Sequence, residues 1–407
     1  MENRRERFRR YMSRLSAASH PQVAIREDLY VKPPGRSVAD RIVSRLELEP
    51  ASSHLVVGGV GSGKTTQLLM IRKLLRATED VRVSFVDVSE RHDLSKLQAG
   101  VLLVLAGLTL GALLKASNDK AVKRARERFT NWAHGWFEEV EDFDVEDFNI
   151  DDEPPDDWEG ERRRVVRHSG VLVPPAPPLR WDIKEKSEQL DVLRQAATGN
   201  YPHIVFLFDS LDRLTQVSPF AELIEQDLRA IRAAGIGVVT VGPLQTMYTT
   251  GRPLAERFDH FYHQSAVDVE KSQPGHRFLV QVVRRRVEED LLSDAGVRRT
   301  VELSGGVLRD LISLARAAGE EAYTEGASQV RKRHVDKAGD AFGRTLMLGL
   351  DKEELSVLQR ARTGGQFVPT SDKDLALLVT RRVLEYANGR SRYVVHPTIR
   401  SLLKQLE

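Results

Sequence analysis

The chain has 407 residues, of which 41% are hydrophobic and 29% are charged, and this length predicts two or three domains with a substantial core. Because 61 Lys and Arg residues stand against 59 Asp and Glu residues, net charge gives no argument for nucleic-acid binding, and any basic surface must be local. The absence of cysteine excludes disulfides, thiolate zinc sites and cysteine nucleophiles.

The first 50 residues are predicted to form a basic N-terminal helix and a linker. Residues 1–10 lack the apolar core of a signal peptide, so a cytoplasmic location is the default expectation. The helix runs from Arg4 to Leu15. It either packs on the rest of the protein through side chains such as Phe8 and Tyr11, or serves as a docking arm for a partner or for nucleic acid.

Residues 58–66 read GGVGSGKTT, a complete match to the phosphate-binding pattern G-x-x-x-x-G-K-[ST]. An apolar strand leads into this loop and a helical run leaves it. The glycines allow consecutive backbone N–H groups to turn towards phosphate oxygens, and the dipole of the following helix adds positive potential. Lys64 is expected to reach the β- and γ-phosphates, and the Thr65 hydroxyl to hold Mg²⁺. The predicted ligand is ATP with Mg²⁺, and the predicted binding residues are Gly58, Gly59, Val60, Gly61, Ser62, Gly63, Lys64, Thr65 and Thr66.

Residues 97–200 are expected to interrupt the ATPase domain as an insertion. Within them, residues 99–114 form the longest apolar run, but this run is shorter than the 18 or so residues that a membrane helix needs. It is predicted to be a buried helix. An acidic stretch, residues 138–161, and a proline-rich one, residues 174–178, indicate surface excursions with weak intrinsic order. The acidic stretch is alternatively a mobile gate or a docking site for a basic partner.

Apolar strands alternate with helices through residues 51–268, which are assigned to the ATPase domain. This pattern predicts a parallel sheet covered on both faces, an α/β fold of the P-loop αβα sandwich type. The strands predicted after the loop are residues 81–88, 204–208, 237–241 and 261–267. Asp209 follows the most hydrophobic of them, where a second acid is expected to hold Mg²⁺ through water, together with Thr65.

The last third of the chain is predicted to be helical and then to change character. Residues 269–348 read as a helical lid domain, and residues 349–407 as a winged-helix domain. In the second of these, two helices precede a hairpin, for which Asn388-Gly389 is a strong turn signal. A closing helix begins at Pro397.

The residues after Asp209 distinguish subclasses of P-loop ATPases. Ordinary AAA+ ATPases have a Glu directly after this Asp, whereas here Ser210 follows it and Asp212 stands three residues on. This pattern resembles the second motif of the STAND class, signal-transduction ATPases that are related to AAA+ proteins within the ASCE division. The resemblance covers roughly residues 30–407 apart from the insertion, and it implies that Asp212 is the base for hydrolysis. A helix cap or an ion pair is the alternative for Asp212.

The same resemblance implies further contacts with the nucleotide. Thr240 takes the position of a sensor for the γ-phosphate, and Arg309 that of the lid arginine in origin-recognition-type ATPases. His396 takes the position of the histidine that senses bound diphosphate in STAND proteins, although Pro397 replaces the acid that often follows it. Ordinary packing or surface roles are the alternatives for all three. The remaining candidates are Tyr30 and Val31 for the base of the nucleotide, and Arg252 or Arg257 for an arginine finger.

Three functional hypotheses follow. The first is a regulatory switch that binds ATP and hydrolyses it slowly with Mg²⁺. Its nucleotide state would control assembly as a homo-oligomer or activation of a separately encoded effector protein, as in bacterial antiphage defence. The second is a DNA-binding AAA+ ATPase of the replication-initiation or transposition-regulator type. Its phosphate contacts would be the arginines around the hairpin, Arg381, Arg382, Arg390 and Arg392. A membrane-linked ATPase of the KAP type is a third hypothesis, although no membrane span is expected.

Overall fold

The computed structural model of the protein describes residues 3–17, 20–78, 80–133, 183–199, 201–248, 254–288, 290–363, 367–388 and 390–405. The contacts of the chain divide it into two units. We call residues 39–56 and 68–262 the sheet unit. We call residues 1–38, 57–67 and 263–407 the lid unit, so that the phosphate-binding loop belongs to the lid unit. The four-part division made from the sequence stays a prediction.

The described residues form seven strands and seventeen α-helices. The strands are β1 Ser53–Val57, β2 Val81–Asp87, β3 His203–Asp209, β4 Gly237–Val241, β5 His260–His263, β6 Val383–Asn388 and β7 Arg390–Val395. The helices are α1 Arg4–Ala17, α2 Pro21–Arg26, α3 Val38–Leu48, α4 Lys64–Leu75, α5 Val88–Arg91, α6 Val101–Leu113, α7 Lys120–Trp132, α8 Ile183–Thr198, α9 Val217–Leu223, α10 Arg229–Ala233, α11 Gln273–Arg284, α12 Asp294–Leu303, α13 Leu308–Thr324, α14 Lys332–Met347, α15 Lys352–Arg362, α16 Asp372–Val379 and α17 Pro397–Lys404. Short 3₁₀ turns span Leu94–Lys96, Leu211–Arg213, Leu244–Met247 and Leu254–Arg257, and a π turn spans Ile224–Leu228.

The main sheet has the strand order β2-β3-β4-β1-β5. Its pairs β1–β4, β2–β3 and β3–β4 are parallel, and β1 and β4 are buried along their whole length. The prediction of an α/β fold with a parallel sheet is therefore confirmed. Strand β5 is shorter than predicted: the Val267 N–H donates to the Gly306 carbonyl at 3.1 Å instead of pairing with a strand.

The apolar run of the insertion forms α6, the buried helix that the sequence predicted. Asp227 accepts hydrogen bonds at the start of this helix, from the N–H groups of Gly100 (2.6 Å), Leu102 (2.8 Å) and Leu103 (3.4 Å). A buried carboxylate thus satisfies amides that the helix itself leaves unpaired. In the part of the chain that the structure describes, no helix is both long and apolar enough to cross a membrane. The acidic and proline-rich stretches lie outside the described residues.

Helix α1 packs into the core of the lid unit. Phe8, Tyr11 and Leu15 are buried there with side chains of α11 to α14, and the Tyr11 hydroxyl donates to the Ala315 carbonyl at 2.6 Å. Of the two interpretations of this helix, the structure shows the packed one. Because its apolar face is covered by the protein itself, α1 presents only its polar face to solvent.

The C-terminal segment, residues 351–405, consists of α15, α16, the β6–β7 hairpin and α17. The hairpin is antiparallel and pairs Val383 with Val395 at one end and Asn388 with Arg390 at the other. Gly389 lies outside the described residues. The predicted order of two helices, a hairpin and a closing helix is therefore present.

Candidate nucleotide-binding site

The phosphate-binding loop joins β1 to α4 through a backbone that glycine adopts most readily. Gly61 has a φ of 79° and Gly63 a φ of 96°. The first hydrogen bond of the helical i to i−4 pattern in α4 runs from the Gln67 N–H to the Gly63 carbonyl at 3.0 Å. The amides of residues 64–66 precede this bond and have no acceptor within the helix. Such amides, at the positive end of the helix dipole, attract phosphate oxygens.

The loop glycines are also required by close packing within the lid unit. A Cβ atom on Gly61 would lie 2.6 Å from Arg309 Cβ, and one on Gly63 would lie 2.9 Å from Leu308 Cδ1. A Cβ atom on Gly58 would lie 2.2 Å from the Gln264 carbonyl oxygen. The loop is therefore held from outside at three points by backbone and side-chain atoms.

Lys64 lies over the beginning of its own loop. Its Nζ donates to the carbonyl oxygens of Gly58 at 2.8 Å and Gly59 at 2.9 Å, and the residue is 5% exposed. Thr65 and Thr66, which follow it in the first turn of α4, are half-buried. Ammonium, amides and hydroxyls are the groups that bind a triphosphate with Mg²⁺, so these residues fit the predicted ligand.

Arg309 lies beside the loop, and its role towards the nucleotide stays a prediction. It is the second residue of α13, and its backbone N–H donates to the Gly61 carbonyl at 3.3 Å. The next residue, Asp310, is 1% exposed and forms an ion pair with Arg381 at the end of α16. The first turn of α13 thus contacts both the phosphate-binding loop and the C-terminal segment.

The predicted acids lie at the end of β3 in the sheet unit. Asp209 is the last residue of this strand, is 2% exposed and lies opposite Asp87, the last residue of β2. Ser210 has a φ of 70°, which turns the chain into a 3₁₀ turn that contains Asp212, a half-buried residue. The two motif acids therefore lie on either side of a sharp change in backbone direction.

Thr240 of the sheet unit lies in surroundings that fit a functional role. It lies on β4 between Leu55 of β1 and Phe208 of β3 and is fully buried. Its Oγ1 has no hydrogen-bond partner among the described residues. Because a buried hydroxyl without a partner is costly, this oxygen is a candidate to bind a ligand or a water molecule.

The other nucleotide candidates have ordinary packing contacts. The Tyr30 carbonyl accepts a hydrogen bond from Arg285 at 3.0 Å, and Val31 packs against the core of the lid unit. Arg257 forms an ion pair of 2.9 Å with Glu225 in which both side chains are about half exposed. Arg252 lies outside the described residues. The roles assigned to these residues stay predictions.

His396 is a buried residue at the junction of β7 and α17. Its Nδ1 accepts a hydrogen bond from the Thr398 N–H at 3.3 Å and thereby caps α17, while its Nε2 lies 3.5 Å from Asp310 Oδ2. Burial lowers the pKa of the imidazole, and the Asp310 carboxylate opposes that shift. The described side-chain contacts of His396 are thus with Asp310 of α13, with α17 and with Phe342 of α14, whose ring centroid lies 5.8 Å from that of the imidazole. Its role towards diphosphate stays a prediction.

Two arginines of the DNA hypothesis form ion pairs inside the lid unit, and a third donates to carbonyl groups. Arg381 pairs with Asp310, and Arg392 pairs with Asp268 at 2.8 Å and Glu270 at 2.8 Å. Arg382 donates to the carbonyls of Leu346 at 2.7 Å and Leu348 at 2.6 Å. The side chain of Arg390 lies outside the described residues. Sequence reasoning missed these acidic partners because Asp310 is 71 residues from Arg381, and Asp268 is 124 residues from Arg392.

The hairpin packs on the glycine turn that precedes α13. Leu384, Tyr386 and Val307 form a buried cluster, and the Tyr386 hydroxyl donates to the Gly305 carbonyl at 2.8 Å. A Cβ atom on Gly305 would lie 2.3 Å from Leu384 Cδ1. The turn that positions Arg309 is therefore in direct contact with the C-terminal segment.

No family model and no curated protein matches this chain. Solved structures similar to it include the Orc2 protein of Aeropyrum pernix in ADPNP–ADP complexes, which is 13% identical with a TM-score of 0.47 over 92% of this chain and 94% of that chain. The Orc1 protein of the same organism in complex with DNA is 14% identical with a TM-score of 0.46, over 92% of this chain and 93% of that one. The RuvB Holliday junction branch migration motor of Thermotoga maritima is 13% identical with a TM-score of 0.39, over 92% and 98%. At these scores the likeness is too distant to bear on function.

Proposed function

We propose that the protein is an ATP-binding and ATP-hydrolysing regulatory switch, in which the phosphate-binding loop controls the C-terminal segment through α13. One observation carries this proposal. Arg309 contacts the loop at Gly61, and the adjacent Asp310 holds Arg381 of the C-terminal segment. Successive residues of a helix point about 100° apart. A rotation of the first turn of α13 therefore alters its contact with the loop and its contact with the C-terminal segment at the same time.

The chemistry of the proposed switch follows from the sequence motifs. Lys64 and the amides of the loop bind the phosphates, and Thr65 is the proposed ligand of the magnesium ion on the loop. Asp209 is the proposed acid that orders the water around that ion, and Asp212 the base that accepts a proton from the attacking water. Thr240 is the proposed sensor of the γ-phosphate, and Arg257 is the proposed arginine finger for the nucleotide of a neighbouring subunit. Bound magnesium would neutralise charge that develops on the phosphates.

Two variants separate binding from turnover. Lys64→Ala removes the ammonium and is expected to abolish ATP binding, whereas Asp212→Ala is expected to bind ATP and to lose its hydrolysis. Glu222→Ala, which changes an exposed acid of the sheet unit, serves as the matched control for Asp212→Ala. ATP binding by Lys64→Ala would contradict the assignment of the loop, and unaltered hydrolysis by Asp212→Ala would remove Asp212 from the role of base.

The output of the switch is proposed to be assembly, as a homo-oligomer or with a separately encoded effector, and antiphage defence is one setting for it. The mass of the particle should then change between ATP and ADP. A constant monomer with both nucleotides, and with the products of neighbouring genes added, would contradict an assembling switch. An adjacent nuclease or membrane effector gene would favour defence signalling.

The second candidate output is DNA binding. The protein would then be an ATPase of the replication-initiation or transposition-regulator type with a C-terminal winged helix. The helix–helix–hairpin–helix order of the C-terminal segment favours it. Because Arg381 and Arg392 are ion-paired within the lid unit, binding of phosphates by these side chains would require release of the segment. We therefore expect duplex affinity that depends on ATP and falls steeply with salt. No duplex binding at low salt with either nucleotide would eliminate this output.

A further inference from the structure

A short connection in the lid unit contacts both the phosphate-binding loop and the glycine turn that precedes α13. We call residues 263–267 the linking segment. Its Gln264 carbonyl lies against Gly58, where a Cβ atom would be 2.2 Å from the oxygen. At its other end, the Val267 N–H donates to the Gly306 carbonyl at 3.1 Å. The linking segment therefore runs from the first glycine of the loop to the turn that precedes α13.

Strand β6 covers this segment and brings a carboxylate to it. Glu385 Oε2 lies 3.5 Å from His263 Nε2, and the Ala387 N–H donates to Ser265 Oγ at 3.3 Å. Glu385 is 9% exposed and also accepts a hydrogen bond of 2.9 Å from the Ser391 hydroxyl. These contacts fix the carboxylate at the start of the linking segment, where the chain passes Gly58.

The charges of Glu385 and Lys64 act on the same imidazole. Burial lowers the pKa of His263, the Glu385 carboxylate opposes this shift, and the Lys64 ammonium adds to it. The contacts place both charges near the loop. Glu385 lies 3.5 Å from His263, and the next residue, Gln264, packs on Gly58. The Lys64 ammonium donates to the Gly58 carbonyl at 2.8 Å. A negatively charged phosphate group that binds at Lys64 therefore comes close to the buried negative charge of Glu385.

We propose that Glu385 is a specificity-determining residue, whose negative charge disfavours a nucleoside triphosphate relative to a diphosphate at the phosphate-binding loop. This inference rests on the proposed function, since it presupposes that the loop binds nucleotides. A triphosphate brings about one more negative charge than a diphosphate. For unit charges about 10 Å apart at an effective dielectric constant of about 20, with screening by salt, this difference corresponds to an affinity ratio of about three- to tenfold.

The test is a titration of the full chain with fluorescent mant-ATP and mant-ADP in the presence of Mg²⁺. Glu385→Gln removes the charge and nearly keeps the shape, so the ratio of the ADP dissociation constant to the ATP dissociation constant should rise by about three- to tenfold. Glu385→Asp keeps the charge and should keep the wild-type ratio.

A matched control distinguishes the effect of the Glu385 charge from the effect of a weaker attachment of the C-terminal segment. Glu270 forms ion pairs with Arg392 at 2.8 Å and with Arg400 at 2.7 Å. Glu270→Gln therefore also weakens the attachment of the C-terminal segment. Unlike Glu385, however, the carboxylate that it removes is paired with arginines and not with His263. Its nucleotide ratio should stay at the wild-type value. An equal rise in Glu270→Gln and Glu385→Gln would overturn the proposal, because looser docking would then explain both.

A second variant guards against a folding defect in Glu385→Gln. Ala387 is exposed and lies two residues along β6, on the same face as Glu385. Ala387→Lys adds a positive charge there and should raise the ratio in the same direction. If Glu385→Gln or Ala387→Lys is folded and binds nucleotide but keeps the wild-type ratio of dissociation constants, the role of Glu385 is overturned and the proposed function is not. A wild-type chain that binds neither nucleotide, or Lys64→Ala that binds as well as wild type, would instead overturn the proposed function.

Discussion

Replacement of Gly61 by alanine tests the contact between the phosphate-binding loop and α13. The new Cβ would lie 2.6 Å from Arg309 Cβ and 3.0 Å from Val307 Cγ1, whereas carbon atoms normally stay about 3.5–4.0 Å apart. The φ of 79° adds a strain of about 1–2 kcal/mol for a residue with a Cβ. With an overpacking cost of about 1–3 kcal/mol, the native arrangement of loop and lid should lose about 2–5 kcal/mol.

Part of this loss is expected to appear as weaker nucleotide binding. Since each 1.4 kcal/mol is a factor of ten, Gly61→Ala should weaken mant-ATP binding by at least about tenfold, and hydrogen exchange should quicken in the first turn of α13. Gly59→Ala is the matched control in the same loop, because no atom lies within 4 Å of its added Cβ. Because Gly59 is itself a predicted binding residue, this variant measures the cost of a side chain in the loop alone, and its loss of affinity should be smaller than that of Gly61→Ala.

Two results would refute this reasoning. Wild-type affinity in Gly61→Ala would mean that α13 moves away from the loop without consequence for the nucleotide. Equal losses in Gly61→Ala and Gly59→Ala would mean that any side chain in the loop impairs binding, whatever lies around it.

The remaining predictions concern stability. Asp227→Ala leaves the amides of Gly100 and Leu102 without their acceptor and should cost about 2–4 kcal/mol in urea unfolding, and an unchanged urea midpoint would contradict the capping role. Burial raises the pKa of Asp227 to about 7, above about 3.9 in the unfolded chain, so the stability contributed by this group is full below about pH 4 and is lost as pH rises through about 7. The slope is about 1.4 kcal/mol per pH unit between these values, and Asp227→Asn should remove it, whereas parallel pH profiles would contradict the assignment. Tyr386→Phe removes the hydrogen bond to Gly305 and should cost about 1 kcal/mol with faster hydrogen exchange in β6, and unchanged exchange there would show that the packing of the ring alone holds the hairpin.

The sequence predicted correctly those features of the fold that depend on residues close together in the chain. The phosphate-binding loop lies between a strand and a helix, as its motif requires, and the apolar runs of β1 to β4 form the parallel sheet. The buried helix α6 was recognisable because its apolar run is shorter than a membrane helix needs and carries three glycines and a threonine. In each case the information lies within a window of about 10–20 residues.

Contacts between distant parts of the sequence were not predictable in this way. Arg381 and Arg392 read as exposed basic residues around a hairpin, and only the folded chain shows that Asp310 and Asp268 neutralise them. The same holds for Asp227, which lies 127 residues from Gly100, the amide that it caps. Spacing within one helix or strand carries no information about such partners, so sequence reasoning assigned the arginines to an external ligand.

The position of Lys64 has a consequence for the entropy of nucleotide binding. A lysine side chain that becomes ordered only when its ligand arrives loses up to about 2 kcal/mol of rotamer freedom at that moment. Here the ammonium is already held by the carbonyls of Gly58 and Gly59, so this loss accompanies folding and not binding. In affinity, that difference amounts to as much as about thirtyfold. Nucleotide exchange at this loop would then be a replacement of acceptors around an ammonium group that stays in place.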